Sequence, residues 1–153
     1  MHFNELNRGE LLAMVGGAIL ALSVFLPWFD LGNSHAMLNQ CHGPNTTCTG
    51  WNSLGALRYL ILLTAIAPTI LAYIIVRGHA LSWPRGELTA LTALMALTFT
   101  LFRGIIDKPG TPAGQITVDY GWWIALGAGA IIFAGSLSRA RQSGPRRKPP
   151  GVL

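Results

Sequence analysis

Residues 11–29 (LLAMVGGAILALSVFLPWF) form an apolar run without one charged side chain, between Glu10 and Asp30. A helix needs about 20 apolar residues to cross the ~30 Å hydrocarbon core of a bilayer, so this run predicts a membrane-spanning helix. Pro27 and Trp28 are expected to end that helix at the membrane surface. We expect the run to be retained, because neither a positively charged leader nor a small-residue cleavage site accompanies it.

The segment around this run occurs twice in the chain. The motif RGEL at residues 8–11 recurs at residues 85–88, 77 positions further on, and the match continues without a gap to Asp30 and Asp107. A Gly-Trp pair opens another apolar run after each copy, at residues 50–51 and 121–122. The repeat therefore predicts an all-α membrane protein made of two tandem helical hairpins, with four transmembrane helices at residues 11–29, 53–76, 88–106 and 122–137.

The composition also favours a membrane protein. Of the 153 residues, 51% are hydrophobic and 11% are charged, whereas soluble domains carry about 25% charged residues. This length has room for one domain, which we place at residues 1–138. Residues 139–153 are basic and rich in proline, which predicts a disordered tail. We expect that tail to set the membrane orientation, with binding of anionic lipid as the alternative role. We expect no nucleic-acid binding, because the basic residues lie where they set membrane topology.

The positions of Lys and Arg predict the orientation. The tail carries five of them and the middle loop carries two, whereas the first loop has none and the third has only Lys108. Because positively charged segments stay in the cytoplasm, we expect a multi-pass plasma-membrane protein with both termini cytoplasmic. This orientation places Cys41 and Cys48 outside, where a disulfide between them is the expected state.

A metal site in the same loop is the alternative to that disulfide. His35 and His42 lie close in sequence to Cys41 and Cys48, and thiolate and imidazole groups bind zinc or copper. The spacing does not match the paired Cys-x-x-Cys pattern of structural zinc sites. The disulfide is therefore favoured, and we expect neither a metal nor another cofactor.

A cluster of charged residues is predicted at the outer face, and its members are Arg58, Arg103, Asp30, Asp107 and Asp119. Both arginines lie inside predicted helices, roughly 6–8 Å below the outer boundary at 1.5 Å per residue. A charge at that depth needs a partner or a path to water. We expect Arg103 to pair with Asp107, Asp30 or Asp119 and to hold the hairpins together. The alternative is an anion or lipid-headgroup site that uses both guanidinium groups.

Motifs typical of enzymes are not found in the sequence. There is no phosphate-binding Gly-Lys-Ser/Thr loop and no His-Glu-x-x-His. There is also no acidic residue in the middle of a predicted span, where ion-coupled transporters usually carry one. Glu10 and Glu87 are expected in the first turns of their helices, where a carboxylate complements the helix dipole. The absence of catalytic motifs disfavours an enzyme, and the absence of mid-span acidic residues disfavours a proton- or ion-coupled transporter.

Four features resemble a known group of proteins: the RGEL motif, the glycine-rich first helix ending in FLPWF, residues 103–110 (RGIIDKPG), and the Gly-Trp opening of the last helix. Together they resemble small four-helix integral membrane proteins of high-GC Gram-positive bacteria, over about residues 9–139. The resemblance implies a fold and a membrane location but no activity.

From the residues themselves we predict a non-enzymatic accessory or assembly subunit, because small-residue stripes favour helix association and little soluble mass is present. Such a subunit would bind another membrane protein or a second copy of itself. The alternative function is a transporter or a lipid- or anion-handling protein that uses the outer arginines.

Overall fold

The computed structural model describes residues 8–32, 38, 41, 47–77 and 87–142, with side chains up to residue 138. The elements are α1 Arg8–Ser23, β1 Pro27–Leu31, β2 Thr47–Thr49, α2 Gly50–Ser53, α3 Leu57–Val76, α4 Glu87–Ile105, β3 Ile116–Val118 and α5 Tyr120–Gln142. Some sequence predictions concern groups outside this description, namely His35, His42, residues 78–86, the side chains of Arg139 and Arg141, and the tail from residue 143.

The four long helices pack side by side as a bundle. α1 lies between α3 and α5, while α4 contacts α5 extensively and α3 less so. Glycines make the α1 contacts close, because a Cβ on Gly17 would collide with the carbonyl oxygen of Ala65 in α3. On the α5 side, a Cβ on Gly135 would lie 2.6 Å from the carbonyl oxygen of Gly9. Such close backbone approach is how helices associate inside a bilayer.

Large apolar side chains of the bundle point outward. Leu22, Ile70 and Leu91 are between 48% and 67% exposed, whereas buried helix positions are mostly occupied by Gly, Ala, Ser and Thr. Among the described residues, three helices are long and apolar enough to cross a membrane: α3, α4 and the part of α5 up to Ser138. α1 has 16 residues, which rise about 24 Å.

The predicted first helix, residues 11–29, is wrong at its carboxyl end. α1 stops at Ser23, because Pro27 has no N–H to donate and disfavours helical geometry at Leu26. The carbonyl oxygen of Ser23 instead accepts a 2.7 Å hydrogen bond from the indole N–H of Trp28. Trp28 is fully buried inside the protein.

A small antiparallel sheet covers one end of the bundle, which we call the sheet end. The strand order is β2–β1–β3, and Phe29 of β1 lies opposite Cys48 and Val118. Phe29, Cys48 and Ile116 are fully buried in the core. The all-α prediction is therefore wrong at this end.

The other helix predictions need smaller corrections. Predicted helix 53–76 begins too early, since α3 starts at Leu57. A turn at Gly55, whose φ of +54° is a conformation that glycine adopts readily, separates α3 from the short helix α2. Predicted helix 88–106 corresponds to α4 within one residue at each end. Predicted helix 122–137 is too short, since α5 has 23 residues and includes residues 139–142, which the sequence had assigned to a disordered tail.

Candidate functional site

Arg103 is the most enclosed charged residue of the predicted outer cluster. It lies in the last turn of α4 and is only 7% exposed. Its Nε donates a 3.1 Å hydrogen bond to the carbonyl oxygen of Ser53, and Nη2 donates to the same oxygen. Nη1 donates to the carbonyl oxygen of Asp107 at 3.1 Å and forms an ion pair with the Asp107 carboxylate.

These contacts follow from the helix ends that meet here. The last carbonyl groups of a helix have no partner inside the helix, and Ser53 ends α2 while Asp107 follows α4. A guanidinium group carries five donors in a fixed fork and can therefore cap both ends at once. Arg103 thus joins α2 to the end of α4. The Asp107 side chain is 56% exposed, so the ion pair itself is partly solvated.

Arg58 has a different environment from Arg103. Its guanidinium carbon lies 4.5 Å from the ring centroid of Trp51 and 5.0 Å from that of Tyr59. Nη1 donates to the Trp51 carbonyl oxygen at 3.2 Å, and Nη2 donates to the Tyr59 hydroxyl at 3.3 Å. Phe25 stacks on the other side of Trp51, with centroids 5.5 Å apart. We call these four residues the Arg58 stack.

The Arg58 stack leaves hydrogen-bonding capacity unused. Every acceptor that the described residues give Arg58 is neutral, and its Nε is buried without a hydrogen bond to any of them. Phe25 and Tyr59 are mostly exposed on the bundle surface. Cation–π contacts of this kind stabilise a guanidinium group beside apolar surroundings.

Asp30 lies in β1 and Asp119 lies between β3 and α5, and both make other contacts. The Asp119 carboxylate accepts a 2.7 Å hydrogen bond from the backbone N–H of Tyr120, the first residue of α5. Its own N–H donates to the Trp28 carbonyl oxygen at 2.8 Å. Asp30 pairs across β1 with Thr117, and its Oδ1 is buried without a hydrogen bond to a described residue. The structure therefore brings Arg103 and Asp107 together but gives Arg58, Asp30 and Asp119 separate environments.

Cys41 and Cys48 are placed at disulfide distance, with their Cα atoms 5.7 Å apart. Cys48 is buried in β2, next to the centre of the sheet. Across the part of the chain that the structure describes, no group of three or more His, Cys, Asp or Glu side chains is arranged to hold a metal ion. The pairing predicted from the sequence is thus confirmed as a distance.

Tryptophan indoles supply two contacts that the sequence did not reveal. Trp28 donates to the Ser23 carbonyl oxygen at 2.7 Å, and Trp122 donates to the Thr100 carbonyl oxygen at 2.8 Å. Ser23 and Thr100 occupy equivalent positions of the repeat, 77 residues apart. The repeat, which relates the two carbonyl groups by 77 residues, is the signal in the sequence that was available.

Glu10 is the other residue whose environment the sequence missed. It is 5% exposed, whereas Glu87, its equivalent in the second copy, is exposed. The prediction that both lie in the first turn of a helix is confirmed, but a first-turn position does not specify burial. Burial of Glu10 follows from the position of α1 between two other helices.

The sheet end is suited chemically to capping and to binding, because it presents guanidinium groups to carbonyl oxygens, aromatic rings and a carboxylate.

Comparisons with protein-family models, with curated protein sequences and with solved structures find no match to this chain.

Proposed function

We propose that this chain is a four-helix integral protein of the plasma membrane that acts as a non-enzymatic accessory or assembly subunit. One observation carries the membrane assignment: the bundle exposes its large apolar side chains and packs Gly, Ala, Ser and Thr inside. In water such a surface would exceed the apolar patches that soluble monomers tolerate, whereas lipid solvates it. α1 crosses together with α3 and α5 because it packs between them.

The proposed orientation places the sheet end outside. Arg77 lies at the opposite end, and the backbone of α5 continues there through Arg139 and Arg141. Cytoplasmic segments carry the excess of basic residues. Reporter fusions after Gln142 and within residues 78–86 should both read cytoplasmic. A periplasmic signal from either fusion would contradict the orientation and, with it, the oxidised state of the cysteines.

The accessory role is supported by the contact between α3 and α4, the least extensive of the four main helix contacts. An apolar groove of about 160 Å³ lies along it, lined by Leu60, Leu63, Thr64, Thr92, Met95, Ala96 and Phe99. In a bilayer, van der Waals packing of complementary helix surfaces drives association. A transmembrane helix of a partner protein would gain such packing in this groove.

Purification in a mild detergent or in native nanodiscs tests this role. We expect one protein partner in a fixed ratio, and we expect Met95→Trp to release it by filling the groove. Leu101→Trp is the matched control, because Leu101 is exposed on α4 and does not line the groove. Recovery of the wild-type chain as a monomer with bulk lipid alone would contradict the proposal.

The second candidate function is a lipid- or anion-handling role at the Arg58 stack. It is favoured by the acceptors of Arg58, which are all neutral among the described residues and leave its charge without an anionic partner there. Arg103 is excluded from this site because its donors already serve Ser53 and Asp107. Native mass spectrometry should show anionic phospholipid retained by the wild type and lost from Arg58→Ala. Equal retention of phospholipid by both proteins would contradict this role and indicate that the Arg58 stack only stabilises the fold.

A further inference from the structure

Helix α3 carries an arginine beside a tyrosine at each of its ends. At the sheet end Arg58 contacts Tyr59, and at the other end the guanidinium carbon of Arg77 lies 5.2 Å from the ring centroid of Tyr73. The 20 residues of α3 rise about 30 Å, which is the thickness of the hydrocarbon core of a bilayer. In a membrane that α3 spans, both guanidinium groups therefore lie at the level where the lipid phosphates begin.

The two arginines differ in how firmly they are held. Arg77 is exposed, and its Nε donates to the Tyr73 hydroxyl at 3.0 Å. Arg58 is partly buried and is fixed by two aromatic rings, by the Trp51 carbonyl oxygen and by the Tyr59 hydroxyl. A guanidinium group whose position is set before a ligand arrives loses less conformational entropy on binding. Arg58 is therefore the better prepared of the two to bind an anion.

The repeat indicates that the Arg58 stack is not needed to cap the helices. Trp51 is the equivalent of Trp122, since each follows the glycine of a Gly-Trp pair. Trp122 caps the Thr100 carbonyl oxygen, but in the first copy Trp28 donates to the equivalent oxygen. Trp51 is thus released from capping, and its ring supports the Arg58 guanidinium instead. The first copy therefore has an aromatic platform for a cation where the second copy has a cap.

The Arg58 guanidinium keeps donors for a ligand. It has five N–H groups, two on each terminal nitrogen and one on Nε. Described residues accept one hydrogen bond from Nη1 and one from Nη2, and Nε is buried. One N–H on each terminal nitrogen is therefore left without an acceptor among the described residues. Two N–H groups of one planar guanidinium can bind two oxygen atoms of a phosphate group.

The surroundings of the stack favour a phosphate that belongs to a lipid. Leu62 and Ile66 follow Arg58 on the same face of α3, at spacings of four residues, and Ile66 is mostly exposed. Leu22 of α1 and Phe25, which follows α1, are mostly exposed as well. An acyl chain that descends from a phosphate at Arg58 meets this apolar surface, whereas a soluble anion gains nothing from it.

We propose that the Arg58 stack binds the phosphate group of one phospholipid of the outer leaflet, through one N–H of Nη1 and one of Nη2. This proposal rests on the second candidate function above and names its ligand. The stack recognises the phosphate and not the net charge of the headgroup, because it offers one guanidinium group and a phosphodiester carries one negative charge in either kind of headgroup. Zwitterionic and anionic phospholipids are therefore both ligands. A diacylglycerol, which has the chains but no phosphate, is not.

Native mass spectrometry of the whole protein in detergent tests the proposal. A phosphatidylglycerol, a phosphatidylethanolamine and a diacylglycerol of identical chains are offered in equal amounts. We expect one molecule of either phospholipid per protein with similar affinity, and an affinity for the diacylglycerol that is lower by about tenfold or more, since two charge-assisted hydrogen bonds are missing.

Three variants sharpen the measurement. Arg58→Ala should lower the affinity for both phospholipids to that for the diacylglycerol. Arg58→Lys keeps the charge but not the pair of coplanar donors, so it should bind both phospholipids about tenfold more weakly than the wild type. Arg77→Ala is the matched control, because it removes the other arginine of α3 that contacts a tyrosine, and it should bind both phospholipids as the wild type does.

Each contrary result has a distinct meaning. Arg58-dependent binding of phosphatidylglycerol alone would overturn recognition of the phosphate but leave the anion-handling role intact. Equal affinities of the wild type and Arg58→Ala would contradict both. Displacement of the phospholipids by an equal concentration of inorganic phosphate would identify a soluble anion as the ligand and overturn the assignment to a lipid. If Arg58→Ala does not fold, Arg58→Lys decides, and an affinity equal to that of the wild type rejects the paired donors.

Discussion

The two copies of the repeat, residues 8–30 and 85–107, resemble each other in sequence but end differently. α1 stops at Ser23 and leads into β1, whereas α4 continues to Ile105. Position 27 explains the difference, because Pro27 stands where the second copy has Gly104, and proline cannot continue a helix. One substitution within a repeat thus decides whether a segment joins the sheet or extends the helix that carries Arg103.

The comparison also shows what the repeat preserves. In both copies an indole N–H caps the equivalent carbonyl oxygen, that of Ser23 or that of Thr100. The donor is Trp28 in the first copy and Trp122, from α5, in the second. Both copies have this hydrogen bond, but its donor belongs to β1 in the first copy and to α5 in the second.

The largest decrease in the free energy of unfolding is expected from Gly17→Leu. This variant places in the first copy the residue that the second copy has at the equivalent position. Gly17 corresponds to Leu94, and any side chain at Gly17 meets the backbone of Ala65 in α3. Such a clash cannot be relieved by a rotamer change, so Gly17→Leu should cost about 3 kcal/mol or more. Denaturation in mixed micelles measures it. Leu94→Ala, at an exposed position, should cost less than ~1 kcal/mol, and equal costs would contradict the packing of α1 on α3.

The next effect is expected from Arg103→Leu, which installs the residue that the first copy has at position 26. The change leaves the Ser53 carbonyl oxygen without its guanidinium donor and separates α2 from α4. Loss of a buried pair typically costs ~3–5 kcal/mol, and we expect about 3 kcal/mol because Asp107 is half exposed. Adding Asp107→Ala should cost less than the two single effects summed. Additive effects would show that the two residues do not interact.

The indole contacts predict two smaller and nearly equal effects. Trp28→Phe and Trp122→Phe each remove one hydrogen bond to an equivalent carbonyl oxygen together with part of a buried ring. The lost bond and the small cavity suggest about 2 kcal/mol for each variant. Thermal unfolding in detergent compares them. Costs that differ by more than about twofold would mean that the repeat does not preserve this bond energetically.

The sequence predicted the apolar helices well because long apolar runs and basic flanks are local signals. It also predicted that Arg103 pairs with Asp107, Asp30 or Asp119, and the structure gives Asp107, one helical turn away, as its partner. The sheet was missed in β1 and β2, because residues 27–31 read as the continuation of an apolar helix and β2 has only three residues. Strand pairing between segments far apart in the chain leaves little trace in either of them.

The environments of Glu10 and Arg58 could not be predicted from the sequence, for a different reason. Glu10 and Glu87 share one motif, and only the order of the helices in the bundle buries the first and exposes the second. Arg58 was grouped with Arg103 because both were expected at one depth. The two arginines differ in lateral surroundings, since Arg58 lies on the aromatic rings of the Arg58 stack. The depth of an arginine along its helix can be predicted by counting residues. Its lateral surroundings depend on how the helices pack.

The smallest expected decrease in the free energy of unfolding concerns α3, which contacts α1 on one face and α4 on another. Ala65 packs against α1, whereas the Thr64 hydroxyl donates to the Thr92 carbonyl oxygen of α4 at 3.2 Å and also to the Leu60 carbonyl oxygen of its own helix. Hydrogen bonds between membrane helices average about 0.6 kcal/mol, so Thr64→Val should cost about that much in mixed-micelle denaturation. Thr98→Val is the control, because that exposed hydroxyl bonds only within α4 as far as the described contacts show and its loss should cost close to nothing. A cost for Thr64→Val above about 1.5 kcal/mol would show that this bond, rather than the apolar surfaces lining the groove, holds α3 against α4.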